Sequence, residues 1–256
     1  MSYPQPVFQA AITKALGLSG GAVTPYSDIL VNTYSASEVW PLVDISSGTV
    51  IAAKVNSARN GTLTGWDLQN AAGPVTGTLA PYSDGANDYG NLLTSGGGVG
   101  LVDIFDGDVG SIFLFVKSDE NATKYLARFR VDASNLIVLA NLTSGQMQFQ
   151  RYAGGGTVLA AETYTYVGAG WYSVGMSWNT VADEVKTYIN GGLKGTYGSI
   201  GNFSGTIDTA LIGAATTVPQ FVLNGYLAYL AVKFGSIWSP TDFLAMHNAA
   251  TTAGAG

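Results

Sequence analysis

From about residue 36 onward, apolar and polar positions alternate with period two in short runs separated by turn residues. That period belongs to half-buried strands. It predicts strands over Glu38–Val43, Val50–Val55, Val99–Asp103, Gly110–Lys117, Lys124–Val131, Leu136–Leu142, Gln146–Tyr152, Thr157–Tyr164, Trp171–Trp178, Glu184–Ile189, Ala210–Ile212 and Gly225–Phe234. In Trp171–Trp178, Tyr172, Val174, Met176 and Trp178 fall on one face and Trp171, Ser173, Gly175 and Ser177 on the other. The first set reads as a core face, the second as a small-residue face able to lie under a sheet, a loop or a partner. Asp132-Ala133-Ser134-Asn135 and Thr143-Ser144-Gly145 have the length of hairpin loops. Asn190-Gly191-Gly192 reads as a tight turn, since Asn and Gly adopt positive φ at little cost. Strands at this spacing predict an all-β antiparallel two-sheet sandwich or jelly roll rather than alternating β-α units.

The ends differ. Val7, Phe8, Ala11, Ile12, Ala15 and Leu16 recur at helical spacing after Pro4 and Pro6, with Gly17 as a stop. A helix that short needs something to dock on. Val7, Phe8, Ile12 and Leu16 are therefore the candidate contacts of an arm that docks on the body of this chain or on a neighbouring subunit. Gly20-Gly21 and Pro25 read as a loop leading into the body. Near the other end Ser239-Pro240-Thr241-Asp242 has the order of a helix start, with Phe243, Leu244 and Met246 as its apolar face. The expected organisation is an arm over residues 1–35, a sandwich over 36–250 and a small-residue tail over 251–256.

Composition narrows the function classes. The 256 residues hold 11 Lys and Arg against 17 Asp and Glu, for a net charge of −6. That balance excludes nucleic acid as an expected partner, because phosphate neutralisation needs clustered cations. There is no cysteine and one histidine, His247, which removes disulfides, thiolate nucleophiles and Cys- or His-rich metal centres. His247 reads as a surface or edge residue. No run approaches the length of a membrane span, and no Sec-type leader is read at the start.

The segment Gly170-Trp171-Tyr172-Ser173-Val174-Gly175-Met176-Ser177-Trp178-Asn179, followed by Val185-Lys186-Thr187-Tyr188-Ile189-Asn190-Gly191, resembles the paired strands of laminin-G-like domains in the concanavalin A-like jelly-roll superfamily. Ala210-Leu211-Ile212-Gly213, Leu223–Val232 and Ser239–His247 are similar to its later strands and closing helix. Tyr34–Asp44, Arg59–Leu63 and Asp84–Tyr89 resemble its opening strand and two of its loops. The resemblance spans about residues 34–249 and implies an architecture without naming a ligand.

It also frames the candidate chemistry. Glycoside hydrolases of this superfamily carry a Glu-x-Asp-x-x-Glu strand, and Glu38, Glu120, Glu162 and Glu184 make no such motif. No enzyme is expected. Asp103, Asp106 and Asp108, with Asp119 and Glu120 further on, form the densest acidic group; it reads as a solvated strand-connecting turn, with calcium ligation as the alternative, and no cofactor is expected otherwise. Exposed aromatics that could stack on sugars are Trp66, Tyr82, Tyr89, Tyr197 and Trp238. Modules resembling this one occur on bacteriophage particles. Charged residues make up only 11% of the chain, which leaves Gly, Ala, Thr and Tyr surface suited to burial against neighbours. The leading expectation is a non-enzymatic virion subunit, a capsid decoration or other particle-surface protein made in a bacterial cytoplasm. Its partners would be copies of itself and other virion proteins, with no nucleic acid and no membrane. The alternative is a lectin-like, carbohydrate-binding adhesion module, calcium-dependent if the acidic group holds the ion.

Overall fold

Alternating burial along the chain resolves into two antiparallel sheets stacked face to face. A computed structural model describes residues 24–252, excepting 46–47, 95–96, 144 and 165–169. The expected arm contacts Val7, Phe8, Ile12 and Leu16 lie outside the described residues, as do tail residues 253–256.

The described strands, in chain order, are β1 (Glu38–Trp40), β2 (Val50–Ile51), β3 (Gly61–Thr64), β4 (Asp67–Ala72), β5 (Leu79–Asp84), β6 (Tyr89–Asn91), β7 (Val109–Ser118), β8 (Lys124–Asp132), β9 (Asn135–Asn141), β10 (Gln146–Ala153), β11 (Gly156–Thr163), β12 (Tyr172–Asn179), β13 (Glu184–Ile189), β14 (Gly192–Tyr197), β15 (Thr209–Ile212) and β16 (Asn224–Phe234). The helices are α1 (Tyr26–Asn32), α2 (Leu101–Ile104) and α3 (Pro240–Thr252). The first sheet runs β14-β13-β12-β7-β16-β5-β4, with β1 also paired to β16. The second runs β11-β10-β9-β8-β15-β6-β3-β2. The layered all-β sandwich with a closing helix is thus the architecture expected from the period-two pattern.

The core between the sheets includes Trp40, Leu114, Phe129, Leu139, Phe149 and Trp178. A second apolar layer lies on the outer side of the first sheet, where α1 and α3 bury Tyr26, Leu30, Phe243 and Met246 against Phe113, Phe115, Tyr188 and Tyr229. Ser173 and Ser177 on the small-residue face of β12 are buried. The face is occupied by α3 of the same chain rather than by a partner. The Tyr26 hydroxyl donates to the Met246 carbonyl at 2.7 Å, joining α1 to α3.

Several sequence expectations need correction. Residues 99–103 form no strand. Leu101–Ile104 is one helical turn, because the Asp103 carboxylate reaches back to the Gly100 N–H at 2.9 Å and caps it. The segment after Pro25 is a helix, not a loop, since burial of Tyr26 and Leu30 on the sheet supplies what seven isolated residues cannot. On α3 the buried positions are Phe243, Met246 and Ala250, one helical face, whereas Leu244 points outward at 47% exposure. Strands β3, β4, β5, β6 and β14 were not anticipated. They are short, and rich in Gly, Asn, Asp or Pro. Pairing with neighbours, not intrinsic preference, makes them strands. Pro81 in β5 sits where the β4 pairing shifts register, so no ladder bond is lost to it. The Asn190-Gly191 turn does take positive φ at both residues, as a two-residue hairpin requires.

Candidate functional site

Helices cover the outer face of the first sheet. The outer face of the second sheet has no such cover among the described residues. In β8, Leu126, Ala127 and Phe129 enter the core and Arg128 and Arg130 alternate away from it, while a register shift between Tyr125 and Ala127 turns Tyr125 to the same outer side. Arg128 pairs across to Val138 on β9, and Val138 to Gln150 on β10. Arg130 pairs to Leu136 and then Tyr152. Tyr125 pairs to Ala140 and then Gln148. Leu136, Val138 and Ala140 form a buried apolar floor with Tyr125 and Tyr152 packed on it. The Phe221 ring, 52% exposed, lies against Tyr125 with centroids 5.7 Å apart and planes at 33°. The Gln150 amide donates to Gln148 Oε1. A cleft of about 430 Å³ opens beside Tyr152, between the hairpin tip at Ala133-Ser134 and residues Gly154–Thr157.

The two arginines differ from the other two of the chain. Arg59 pairs with Glu38 at 3.3 Å, and Arg151 is buried among carbonyl oxygens. Arg128 donates to the Ala215 carbonyl, yet its Nε is buried without an acceptor. Arg130 Nε is in the same condition. Among the described residues neither is in an ion pair. The nearby carboxylates are hydrogen-bonded locally, Asp132 to the Ser134 N–H at 2.7 Å and Asp208 to the Thr209 hydroxyl at 2.8 Å, and act on the arginines through space without an ion-pair contact, Asp132 on Arg130 and Asp208 on Arg128. Burial, and then the like charge of Arg130, hold the Arg128 guanidinium below its ordinary pKa. Chemically, the face offers ring surfaces for stacking and guanidinium and amide groups for hydrogen bonding over a dry floor.

The aromatics picked from the sequence do not converge. Trp66 and Trp238 are buried, not exposed. Trp66 lies under Gly213, and the Trp238 Nε1–H donates to the Tyr34 carbonyl at 2.7 Å. Tyr197 donates to Glu162 Oε1 at 2.5 Å, where Thr187 also donates, so it bridges the edge strands of the two sheets. Burial and that carboxylate raise its pKa to about 12. Tyr89 is half-buried on β6 beside Thr64. Tyr82 joins Tyr226, 5.1 Å between centroids, in a second aromatic patch that Trp171 and Lys117 border.

The acidic candidates also separate. Asp103 caps α2, Asp106 accepts from the backbone N–H of Asp108 and Val109, and Asp108 accepts from that of Phe203 at 2.7 Å. Among the described residues no three metal-ligating side chains come together. The four glutamates are each engaged apart from one another, with Arg59, Lys124, Tyr197 and Lys186. His247 is not a free surface residue: its Nδ1 lies 3.0 Å from the buried Ser173 hydroxyl and its ring stacks near Phe115. Among the described residues no helix is long and apolar enough to cross a membrane.

The residues missed in the sequence are Tyr125, Arg128, Arg130, Gln148, Gln150, Tyr152 and Phe221. Alternation groups Arg128 with Arg130, and Gln148 with Gln150 and Tyr152, but sets Tyr125 on the opposite face, which only the register shift beside it reverses. What it could not show is that neither arginine is in an ion pair among the described residues.

No family model matches the sequence, and no curated protein matches it either. Solved structures do match in fold. Domain 4 of AbnA, an extracellular arabinanase of Geobacillus stearothermophilus in complex with arabinotriose, is 16% identical with a TM-score of 0.55, covering 83% of this chain and 98% of that one. NanB, known as a Streptococcus pneumoniae sialidase, is 17% identical with a TM-score of 0.51 over 63% of this chain and 26% of its own. The CBM40 module of Ruminococcus gnavus IT-sialidase, bound to α2,3-sialyllactose, is 15% identical at a TM-score of 0.48 over 55% of this chain and 83% of that one. At these identities the likeness is one of fold. The class so defined is a two-sheet antiparallel β-sandwich. The virion-subunit expectation gains no support from these neighbours.

Proposed function

We propose that this chain is a non-catalytic carbohydrate-binding module, and that sugar docks on the outer face of its second sheet. The alternative drawn from the sequence thereby displaces the virion subunit as the leading reading. One observation carries it: the Tyr125–Phe221 aromatic pair stands beside Arg128, Gln148 and Gln150 on a sheet face that no described element covers. Aromatic rings stack on the apolar faces of sugars, while amides and guanidinium groups bond their hydroxyls. Fold neighbours that carry arabinotriose or sialyllactose are compatible with this use of the architecture.

Affinity electrophoresis of the full chain in gels bearing soluble polysaccharides tests the reading. A retarded wild type is expected, with retardation cut at least about tenfold in Tyr125→Ala/Phe221→Ala, as the loss of ring stacking predicts. Unchanged circular dichroism of the variant would show that the sheets persist. Retardation insensitive to this pair but abolished by Tyr82→Ala would move the site to the first sheet. No retardation on any polysaccharide would sink the proposal.

A further inference from the structure

Resting on that reading, we infer that the glycan taken by the second-sheet face is acidic, its oxyanion held by Arg128 and Arg130. The protein is acidic overall, at net −6, and five of the ten described Lys and Arg are in ion pairs: Lys54 with Asp28, Lys124 with Glu120, Lys186 with Glu184, Arg59 with Glu38 and Arg151 with Asp108. Against that background two arginines two positions apart on one strand share a face, with no ion pair of their own among the described residues. Each keeps a buried Nε–H that donates to nothing. A buried donor without an acceptor is unfavourable, and charged donors more so. Like charges brought together add to the cost: the pKa of Arg128 is lowered first by burial and then by Arg130, with Tyr125 and Asp208 opposing. A ligand oxyanion on the terminal nitrogens offsets the like charge, while the enclosed Nε–H groups hold the two side chains in place without reaching it.

The guanidinium fork suits a planar or multi-oxygen anion. Its two terminal Nη groups lie side by side and can bind two oxygens together. In Arg128 the Ala215 carbonyl holds one Nη and the Nε is enclosed, so the second Nη is the group that meets the ligand. Val138 and Leu211 flank Arg128 on the adjoining strands and are buried. That apolar setting strengthens a charge contact relative to open water. Neighbouring Gln150 and Tyr152 fit the polar body of a sugar rather than a bare ion. The shared chemistry is a carboxylate or sulfate ester on a saccharide.

The test measures binding of the full chain to matched acidic and neutral probes: sialyllactose against lactose, polygalacturonate against its methyl ester, and dextran sulfate against dextran. At least one acidic probe is expected to bind tenfold or more above its neutral counterpart. Arg130→Gln is expected to remove that difference, and Arg130→Lys to recover only part of it. The acidic binding should also weaken in half-molar salt, as screened charge contacts do. Which pair shows the difference separates carboxylate from sulfate. Equal binding of acidic and neutral members, indifferent to Arg130→Gln, overturns the acidic ligand and leaves the glycan-binding reading standing. Binding of no member of any pair overturns both.

Discussion

Phe243 lies flat against the backbone of Gly175: a β-carbon at that glycine would stand 2.3 Å from Phe243 Cε1 and 3.0 Å from the Ile112 carbonyl oxygen. The same ring stacks on Tyr188 with centroids 3.8 Å apart. The contact fixes the distance between α3 and the first sheet. Gly175→Ala is expected to destabilise the protein by about 1–3 kcal/mol through overpacking. Urea unfolding monitored by tryptophan fluorescence checks it, and a variant as stable as wild type would show that the helix can lift without cost.

Glu38 is fully buried and accepts from the backbone N–H of Val39, Val55 and Asn56 and from Arg59. Arg59 in turn donates to the carbonyls of Ser37 and Val99. One carboxylate therefore ties β1 to the 50–60 connection. Glu38→Ala should cost about 3–5 kcal/mol, because it strands a charge and several amides. Adding Arg59→Ala to it should cost less than Arg59→Ala costs alone, because only the bonds to the Ser37 and Val99 carbonyls remain to be lost. Additive losses in denaturant titrations would contradict that coupling.

Arg151 sits at the core-facing edge of β10 and donates to Gly107 O at 2.9 Å, to Gly201 O at 3.2 Å and to the Ile200 carbonyl, with Asp108 3.7 Å away. Burial lowers its pKa to about 10, partly offset by Asp108 and Asp106. Arg151→Met is expected to lose about 2–4 kcal/mol as buried carbonyls go unpaired. Arg151→Lys should not restore it, because an ammonium cannot span oxygens set for a planar fork. Melting temperatures of the two variants decide the point.

Burial lowers the pKa of His247 below its ordinary 6.5. The unfolded chain then binds a proton more readily than the folded one. The contribution is intact above the unfolded value and is lost as pH falls through it toward the folded value. Urea midpoints should therefore drop between about pH 7.5 and pH 5, and His247→Asn should flatten that slope. Asp132 and Asp183 act in a separate window. Backbone N–H donors hold their carboxyls below 3.8, so their stabilisation fades only in stronger acid. A wild-type midpoint unchanged between pH 7.5 and 5 would contradict the assignment to His247.

The long strands were legible because their residues agree with their surroundings. Val109–Ser118 and Tyr172–Asn179 are runs of apolar and small residues buried almost throughout, and their extents differ from expectation by a residue at each end. Gly61–Thr64 and Tyr89–Asn91 have no such signal; they become strands because each has the other as a neighbour. Tyr26–Asn32 was hidden for the same reason, its helix depending on a sheet built from residues far along the chain. The binding face was half legible. Alternation placed Arg128 and Arg130 outward, but whether either is in an ion pair is a property of three-dimensional neighbours. Trp66 and Trp238 mislead in the opposite sense, since loop-like flanks suggested exposure where tertiary packing buries both rings.

The Tyr26–Met246 bond places α1 and α3 together on the back of the molecule, with the arginines on the front. A chip or bead coupled through the α3 end would hold the protein by its reverse side and present the receptive surface squarely to solution. An immobilised array could thus be made without reworking a single side chain of the docking face.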